Sequence, residues 1–88
     1  MATELLAVGT AAANSPEFTL AAGEEATVAL KGPGIKTGRI KIMLKGDDGV
    51  FVFVDELTSG RAALALDRIG TYRLERLAVG AQVGAFRA

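Results

Sequence analysis

The chain lacks cysteine, histidine and tryptophan throughout its 88 residues. Without cysteine it can form no disulfide, thiolate metal site or cysteine nucleophile. Without histidine it has neither the most common zinc ligand nor the most common general base, which excludes a Ser-His-Asp triad. A chain of this length forms one domain. We therefore predict a single domain with no metal, no cofactor and no enzymatic activity.

The chain also lacks an excess of charge of either sign, because ten acidic residues balance ten lysines and arginines. A protein that holds nucleic acid phosphates carries a basic excess, so no nucleic acid partner is expected. Aromatic residues make up only 6%, a poor supply for a surface that stacks on sugars. No stretch reaches the roughly 18–20 apolar residues of a membrane-spanning helix, so no membrane is expected. With 50% hydrophobic residues, we expect a compact domain that assembles with other proteins.

Two segments come close to ligand-binding motifs without fulfilling them. Residues 32–38 contain glycines, a lysine and a threonine, but not in the order of a phosphate-binding loop, and Pro33 removes a backbone N–H. Asp47 and Asp48 supply too few oxygens for a Ca²⁺ site. An inter-strand loop and a tight turn explain these two segments better.

Short strands are predicted along the whole chain, since 11 glycines divide it into segments too short for ordinary helices. Apolar residues recur at every second position, as in half-buried strands. Residues 39–45 place Ile40, Ile42 and Leu44 on one face. Residues 50–54 return after a turn in which Gly49 can take the positive φ of hairpin loops. These two segments are predicted to form a hairpin.

Weaker strand patterns cover residues 17–20, 27–30, 62–66, 71–75 and 83–87. Short strands at this spacing predict an all-β fold, a single antiparallel β-sandwich of about seven strands. The segment 62–66 also fits a helical turn, since alanine and leucine are good helix formers. Because Gly9 is the one turn residue between residues 5 and 13, residues 1–14 are predicted to be an extended N-terminal arm. Residues 15–88 then form the sandwich domain.

Asp67, Gly70 and Tyr72 resemble the tyrosine corner of immunoglobulin-like domains, in which a tyrosine hydroxyl bonds back to the backbone. The cysteine pair and the tryptophan of antibody domains are absent. This pattern favours an immunoglobulin-like sandwich that is not an antibody-type domain. Tyr72 also fits a plain aromatic residue of the core, and in both interpretations these residues are structural.

Two segments have the composition of binding surfaces. From Lys31 to Lys45 there are five basic residues and no acidic one, which fits either a solvated face or half of a contact with another protein. Residues 50–54 are apolar on both faces, so half should fill the core and the rest lie inside a sheet or against a partner. A protein interface is predicted at the arm, on one strand face and at the C-terminus: Leu5, Leu6, Val8, Arg39, Lys41, Met43, Phe86 and Arg87.

Residues 18–30 (FTLAAGEEATVAL) and 70–76 (GTYRLER) carry a resemblance to a known family. They are similar to hairpins and strands of small β-sandwich virion proteins of tailed bacteriophages. The resemblance implies a non-enzymatic structural protein such as a capsid decoration (cement) protein, which binds the major capsid protein or another virion protein. It also implies a homo-oligomer, with a trimer favoured, that is assembled in the host cytoplasm and lies on the outer surface of the head. A fibre or tail module that binds a bacterial surface glycan or receptor, and a cellular adaptor or periplasmic domain, are the alternatives.

Overall fold

The computed structural model describes residues 3–78 and 80–88, and within them the chain forms nine β-strands and no helix. Consequently none of the described residues belongs to a helix that could span a membrane. In chain order the strands are β1 (Thr3–Gly9), β2 (Ala13–Asn14), β3 (Phe18–Leu20), β4 (Ala26–Lys31), β5 (Ile40–Lys45), β6 (Phe51–Leu57), β7 (Ala63–Leu66), β8 (Gly70–Arg76) and β9 (Val83–Arg87).

The strands form two antiparallel sheets, which confirms the predicted all-β sandwich. One sheet has four strands in the order β1-β9-β4-β7, and the other has five, in which β2-β8-β5-β6 form the path and β3 also pairs with β8. The tyrosine-bearing strand β8 and the last strand β9 lie in different sheets. In the immunoglobulin fold the corresponding strands F and G share one sheet. The strand order therefore differs from that fold, because β9 inserts between β1 and β4.

The core lies between the sheets and follows the alternation of the sequence. Ile40 and Ile42 of β5 are fully buried, as predicted, while Leu44 is half-buried. Leu64 and Leu66 of β7 pack against the core, so residues 63–66 form a strand rather than a helical turn. The largest fully buried side chains come from both sheets: Leu20, Val28, Ile40, Ile42, Leu57, Leu74 and Val83.

The predicted hairpin of β5 and β6 is present, and its turn carries the expected chemistry. Gly49 has a φ of 83°, and its N–H donates to the Gly46 carbonyl at 3.0 Å. The Gly46 N–H donates in turn to the Val50 carbonyl at 2.8 Å. This pattern is a type I turn followed by a left-handed glycine, the usual three-residue hairpin loop. A register shift interrupts the ladder between Ile42 and Met43.

The return strand β6 corrects one expectation, because residues 50–54 do not fill the core. Val50, Val52, Phe53 and Val54 are exposed and Phe51 is half-buried, whereas Leu57 is the fully buried residue of this strand. The reason is position: β6 lies at the end of its sheet, so only β5 pairs with it among the described residues. A strand at the end of a sheet lacks a neighbour to cover it.

Two expectations about pairing also change. Strands β3 and β4 flank the turn of residues 21–25 but do not pair with each other: β3 pairs with β8, and β4 pairs with β7 and β9. This turn therefore crosses from one sheet to the other, which alternation alone could not reveal. The predicted arm, whose residues 1 and 2 lie outside the described residues, is extended and forms β1 and β2 against β9 and β8 of the same chain. These two strands raise the number from seven to nine.

Candidate protein-binding surface

The outer face of the β5–β6 hairpin carries an apolar group. Phe53 lies opposite Met43 and Phe51 lies opposite Lys45, so both phenylalanines share the face that points away from the core. Phe53 is 56% exposed, whereas Met43 and Phe51 are half-buried. The Arg73 guanidinium lies 4.1 Å from the centre of the Phe51 ring, a cation–π distance. We call the apolar residues on both faces of this part of the hairpin, Met43 and 50–54, the β6 surface.

The other face of β6 opens on a cleft between the two sheets. Residues of both sheets and of the segment after β7 line this cleft: Leu44, Val54, Asp55, Ala65, Leu66, Asp67, Arg68 and Tyr72. The cleft has a volume of about 190 Å³. Pockets that hold drug-sized ligands measure roughly 300–1,000 Å³, so this one accommodates at most a side chain of a partner.

The basic run between Lys31 and Lys45 is matched by acidic residues on neighbouring strands. Arg39 binds Glu56 at 3.0 Å, and Lys45 lies 3.7 Å from Glu17. Lys31 of β4 pairs with Glu4 of β1, and both strands belong to the four-stranded sheet. These contacts agree with a solvated, charge-balanced face. Charges of this kind contribute little to stability, but at the rim of an interface they steer association.

The residues predicted for the arm do not share one environment. Leu6 is buried in the core of its own sandwich, so its side chain is not available to a partner. Leu5 is half-buried and packs against that core, whereas Val8 is 43% exposed. Simple alternation does not hold along β1, because its ladder with β9 has register shifts between Glu4 and Leu6 and between Leu6 and Gly9.

The predicted strand-face and C-terminal residues lie in different places. Arg39 is exposed and Lys41 half-buried, and both belong to the rim of the β6 surface, while Met43 is part of it. Phe86 and Arg87 are half-buried on β9, and the Arg87 guanidinium lies 5.6 Å from the Phe18 ring centre. The structure thus brings Arg39, Lys41 and Met43 together, with the C-terminal pair on a separate sheet.

Tyr72 adopts the geometry of a tyrosine corner. Its hydroxyl donates to the Arg68 carbonyl at 2.9 Å, and its ring stacks on Phe18 with 5.9 Å between ring centres. Gly70 leaves no room for a side chain, because a Cβ there would lie 2.6 Å from Leu44 Cδ1. Asp67 is exposed and lines the cleft beside β6.

One buried charge was missing from the sequence analysis. Arg76, with 8% exposure, donates to the carbonyls of Ala7 at 2.6 Å, Ala11 at 2.7 Å and Val83 at 3.0 Å. It therefore ties β8 to β1 and β9 of the opposite sheet. The alternation that places Tyr72 and Leu74 inward also places Arg76 inward, so the signal was present in the sequence.

The fold and this surface define a two-sheet antiparallel β-sandwich with an uncovered apolar strand at one end. Neither family models nor curated proteins match the sequence. A solved structure, the crystal structure of SPBc2 prophage-derived protein YomS, has a similar fold, with a TM-score of 0.76 over 99% of this chain and 88% of that chain. The two sequences are 14% identical, so the similarity establishes the fold alone.

Proposed function

We propose that this chain is a non-enzymatic structural protein of a phage particle that binds other particle proteins, in the role of a capsid decoration protein. The observation that carries the proposal is the β6 surface, because four of the six exposed large hydrophobic side chains among the described residues lie there: Val50, Val52, Phe53 and Val54. Two further observations support the phage association. The fold is similar to that of a prophage-derived protein, and residues 18–30 and 70–76 resemble segments of phage virion proteins.

The proposed mechanism is mechanical. Large exposed apolar patches on small proteins mark sites where another protein binds. Burial of Phe53 and its apolar neighbours in a contact of about 800 Å² per partner removes them from water and stabilises the bound state. Copies that bridge neighbouring shell subunits raise the free energy needed to separate those subunits. The charged rim around Arg39 and Lys41 orients the encounter.

The test uses the chain expressed with a tag from its own locus in the phage or lysogen that encodes it. Particles are induced, purified on a density gradient and analysed for the tagged chain by quantitative mass spectrometry and gold labelling. We expect the chain in purified particles, in many copies, with the label on the outer surface of the head. Absence of the chain from particles overturns the proposal, and a label confined to tails or fibres replaces the decoration role by the fibre or tail role.

A pair of variants tests the surface. A phenylalanine buried at an interface contributes about 1.5–3 kcal/mol, so Phe53→Ser should lower particle occupancy at limiting concentration by at least about tenfold. Val8→Ser is the matched control. Val8 is also exposed, but it lies on β1, at the end of the four-stranded sheet that is opposite to β7. Loss of occupancy in Val8→Ser with Phe53→Ser unaffected would move the contact to the N-terminal segment.

A further inference from the structure

Among the described residues, each sheet ends in two strands that have no strand beside their outer backbone groups, and three of these four edges are short or have several interruptions. The edge formed by β2 and β3 consists of strands of two and three residues with Pro16 between them. The β1 edge has two register shifts against β9, and β7 is four residues long. Short strands, bulges and prolines are the devices by which proteins prevent unwanted edge pairing. The remaining edge, β6, is seven residues long, has one register shift against β5 after Phe53, and has no charged residue between Gly49 and Asp55.

The backbone groups that β6 offers to a new strand belong to its two phenylalanines. Hydrogen-bonded and non-hydrogen-bonded pairs alternate along an antiparallel ladder. The Gly46 N–H donates to the Val50 carbonyl, so the Leu44–Val52 pair is hydrogen-bonded and Phe51 and Phe53 are not bonded to β5. The N–H and C=O groups of Phe51 and Phe53 therefore point away from the sheet. These groups can donate and accept the hydrogen bonds of an added strand.

We propose that β6 pairs antiparallel with β6 of a second copy, in a two-fold register centred on Val52. This proposal rests on the proposed protein-binding role of the β6 surface, and it names the partner of the β6 backbone edge, not of the phenylalanine face that is proposed to contact the particle. In this register Phe51 of one copy lies opposite Phe53 of the other, and each such pair exchanges both N–H···O bonds. The phenylalanines of both copies meet on the outer face, while the Val52 side chains meet at the axis. The sequence of residues 50–54 reads the same in both directions, VFVFV, so this register places phenylalanine opposite phenylalanine and valine opposite valine.

The two ends of the contact bring acidic groups together, because this register sets Asp48 opposite Glu56 of the second copy, and nearby arginines offset their repulsion. The turn that contains Asp47 and Asp48 then lies beside residues 55–57 of the second copy. At that end Arg39 binds Glu56 at 3.0 Å, and Arg61 binds Asp55 at 3.3 Å. Both arginines are more than half exposed, so they can also bind the acidic turn of the second copy. Like charges opposite one another would weaken the pairing, and here the carboxylates of β6 are already neutralised.

A two-fold contact explains the edge better than a closed trimer does. In a ring, each β6 would pair with a different edge of the next copy, because ring contacts are heterologous. The other edges differ from β6 in register or length: β1 has two register shifts against β9, β7 has four residues, and β2 and β3 are shorter still. An isologous β6 contact uses the apolar stretch of one edge twice. Once β6 is paired in this way, it is no longer open to unwanted pairing with other strands.

The first experiment exploits the absence of cysteine from the sequence. At the axis the two Val52 Cα atoms form a non-hydrogen-bonded pair at about 4.5 Å, within the range that a disulfide spans. The purified full-length Val52→Cys chain is incubated in a glutathione redox buffer, beside Val8→Cys as the matched control on another exposed valine. We expect a disulfide-linked dimer in Val52→Cys at a yield at least about tenfold above that of Val8→Cys.

The second experiment tests the register by exchange of charges. Light scattering of the unmodified chain up to about 500 µM should give the mass of a dimer, because a contact of one strand is small and its affinity modest. Val52→Lys and Val52→Asp should each raise the dimer dissociation constant by at least about tenfold, since like charges then face each other at the axis. An equimolar mixture of the two variants should regain the dimer, because lysine then faces aspartate. Circular dichroism of each variant checks that the sandwich is folded.

Each outcome bears on the proposal. Recovery of the dimer in the mixture and in no single variant supports the Val52 register. A monomer at every concentration, a trimeric mass, a dimer that survives both charge variants, or equal cross-linking of Val8→Cys overturns it. The proposed function is judged separately. A monomeric chain found on particles leaves that function intact, whereas a Val52-dependent dimer that is absent from particles leaves the self-pairing intact and removes the function.

Discussion

Replacement of Arg76 should destabilise the sandwich more than any other single change of a charged residue. Its guanidinium is buried and donates to three carbonyls of the β1 strand, the segment that follows it, and β9. Within residues 3–78 and 80–88, no carboxylate lies at ion-pair distance from it. The carbonyl dipoles are therefore what compensates for the burial of this charge.

The magnitude follows from where the three carbonyls lie. Ala7 and Ala11 are exposed, so water can replace the guanidinium there at a cost of about 1 kcal/mol each. Val83 is fully buried, and its carbonyl without a donor costs about 1–3 kcal/mol. Arg76→Ala should thus lower the free energy of unfolding by about 3–5 kcal/mol, out of the roughly 4–13 kcal/mol typical for a domain of this size. The midpoint of thermal unfolding should fall by about 12–40 °C.

Urea unfolding followed by far-UV circular dichroism measures this loss, at one fixed protein concentration because assembly adds to apparent stability. Arg76→Lys keeps the charge but not the planar fork of donors, and we expect it to lose about half as much. Arg76→Met keeps most of the side-chain volume and removes every donor. A Met variant as stable as the unmodified chain would refute the reasoning, since the burial of the charge would then cost more than the three carbonyls return.

Two further substitutions probe the contacts that close the fold. Gly84→Ala should lower the free energy of unfolding by about 2–3 kcal/mol, because its Cβ would lie 2.9 Å from the Ala7 carbonyl carbon; Gly60→Ala, where the nearest atom is 4.0 Å away, should leave it unchanged. An equal loss in both variants, by urea unfolding, would contradict this account. Tyr72→Phe removes the hydroxyl bond to Arg68 and should cost about 1 kcal/mol, seen as a fall of about 4–8 °C in thermal unfolding. An unchanged midpoint would show that the ring alone anchors this corner.

Local pattern predicted those parts of the fold that depend on neighbours in sequence. The hairpin of β5 and β6 followed from alternation on both sides of a Gly49 turn, and β9 was predicted with the bounds that it has. Pairing between distant segments could not be predicted in this way. Alternation shows which residues share a face, but the position of a strand within its sheet depends on which other strands bond to it. Residues 50–54 were therefore expected to fill the core in part, although β6 is an edge strand.

For the candidate site, too, local pattern predicted some residues correctly, while pairing between distant segments could not be predicted. Arg39, Lys41 and Met43 were predicted together because they alternate on one strand, and the structure places them beside the exposed phenylalanines. Leu6 was predicted for the interface because an apolar N-terminal segment has no evident partner in a sequence. It pairs instead with Ala85 of β9, at the other end of the chain. Arg76 was not predicted to be buried, because arginine is usually exposed and this expectation outweighed the alternation that places its side chain inside.

The pairing of Thr3 with Arg87 has a consequence for how the protein can be used and attached. Any polypeptide joined before Thr3 or after Arg87 leaves the sandwich at the same corner. That corner belongs to β1 and β9, whereas β6 borders the cleft beside β7, at the far end of the four-stranded sheet. A peptide or small domain fused at either position would be carried clear of β6. The chain therefore offers two display sites that leave its apolar strand unobstructed. A circularly permuted chain, in which these two positions are joined and the turn of residues 46–49 is opened, should fold to the same sandwich.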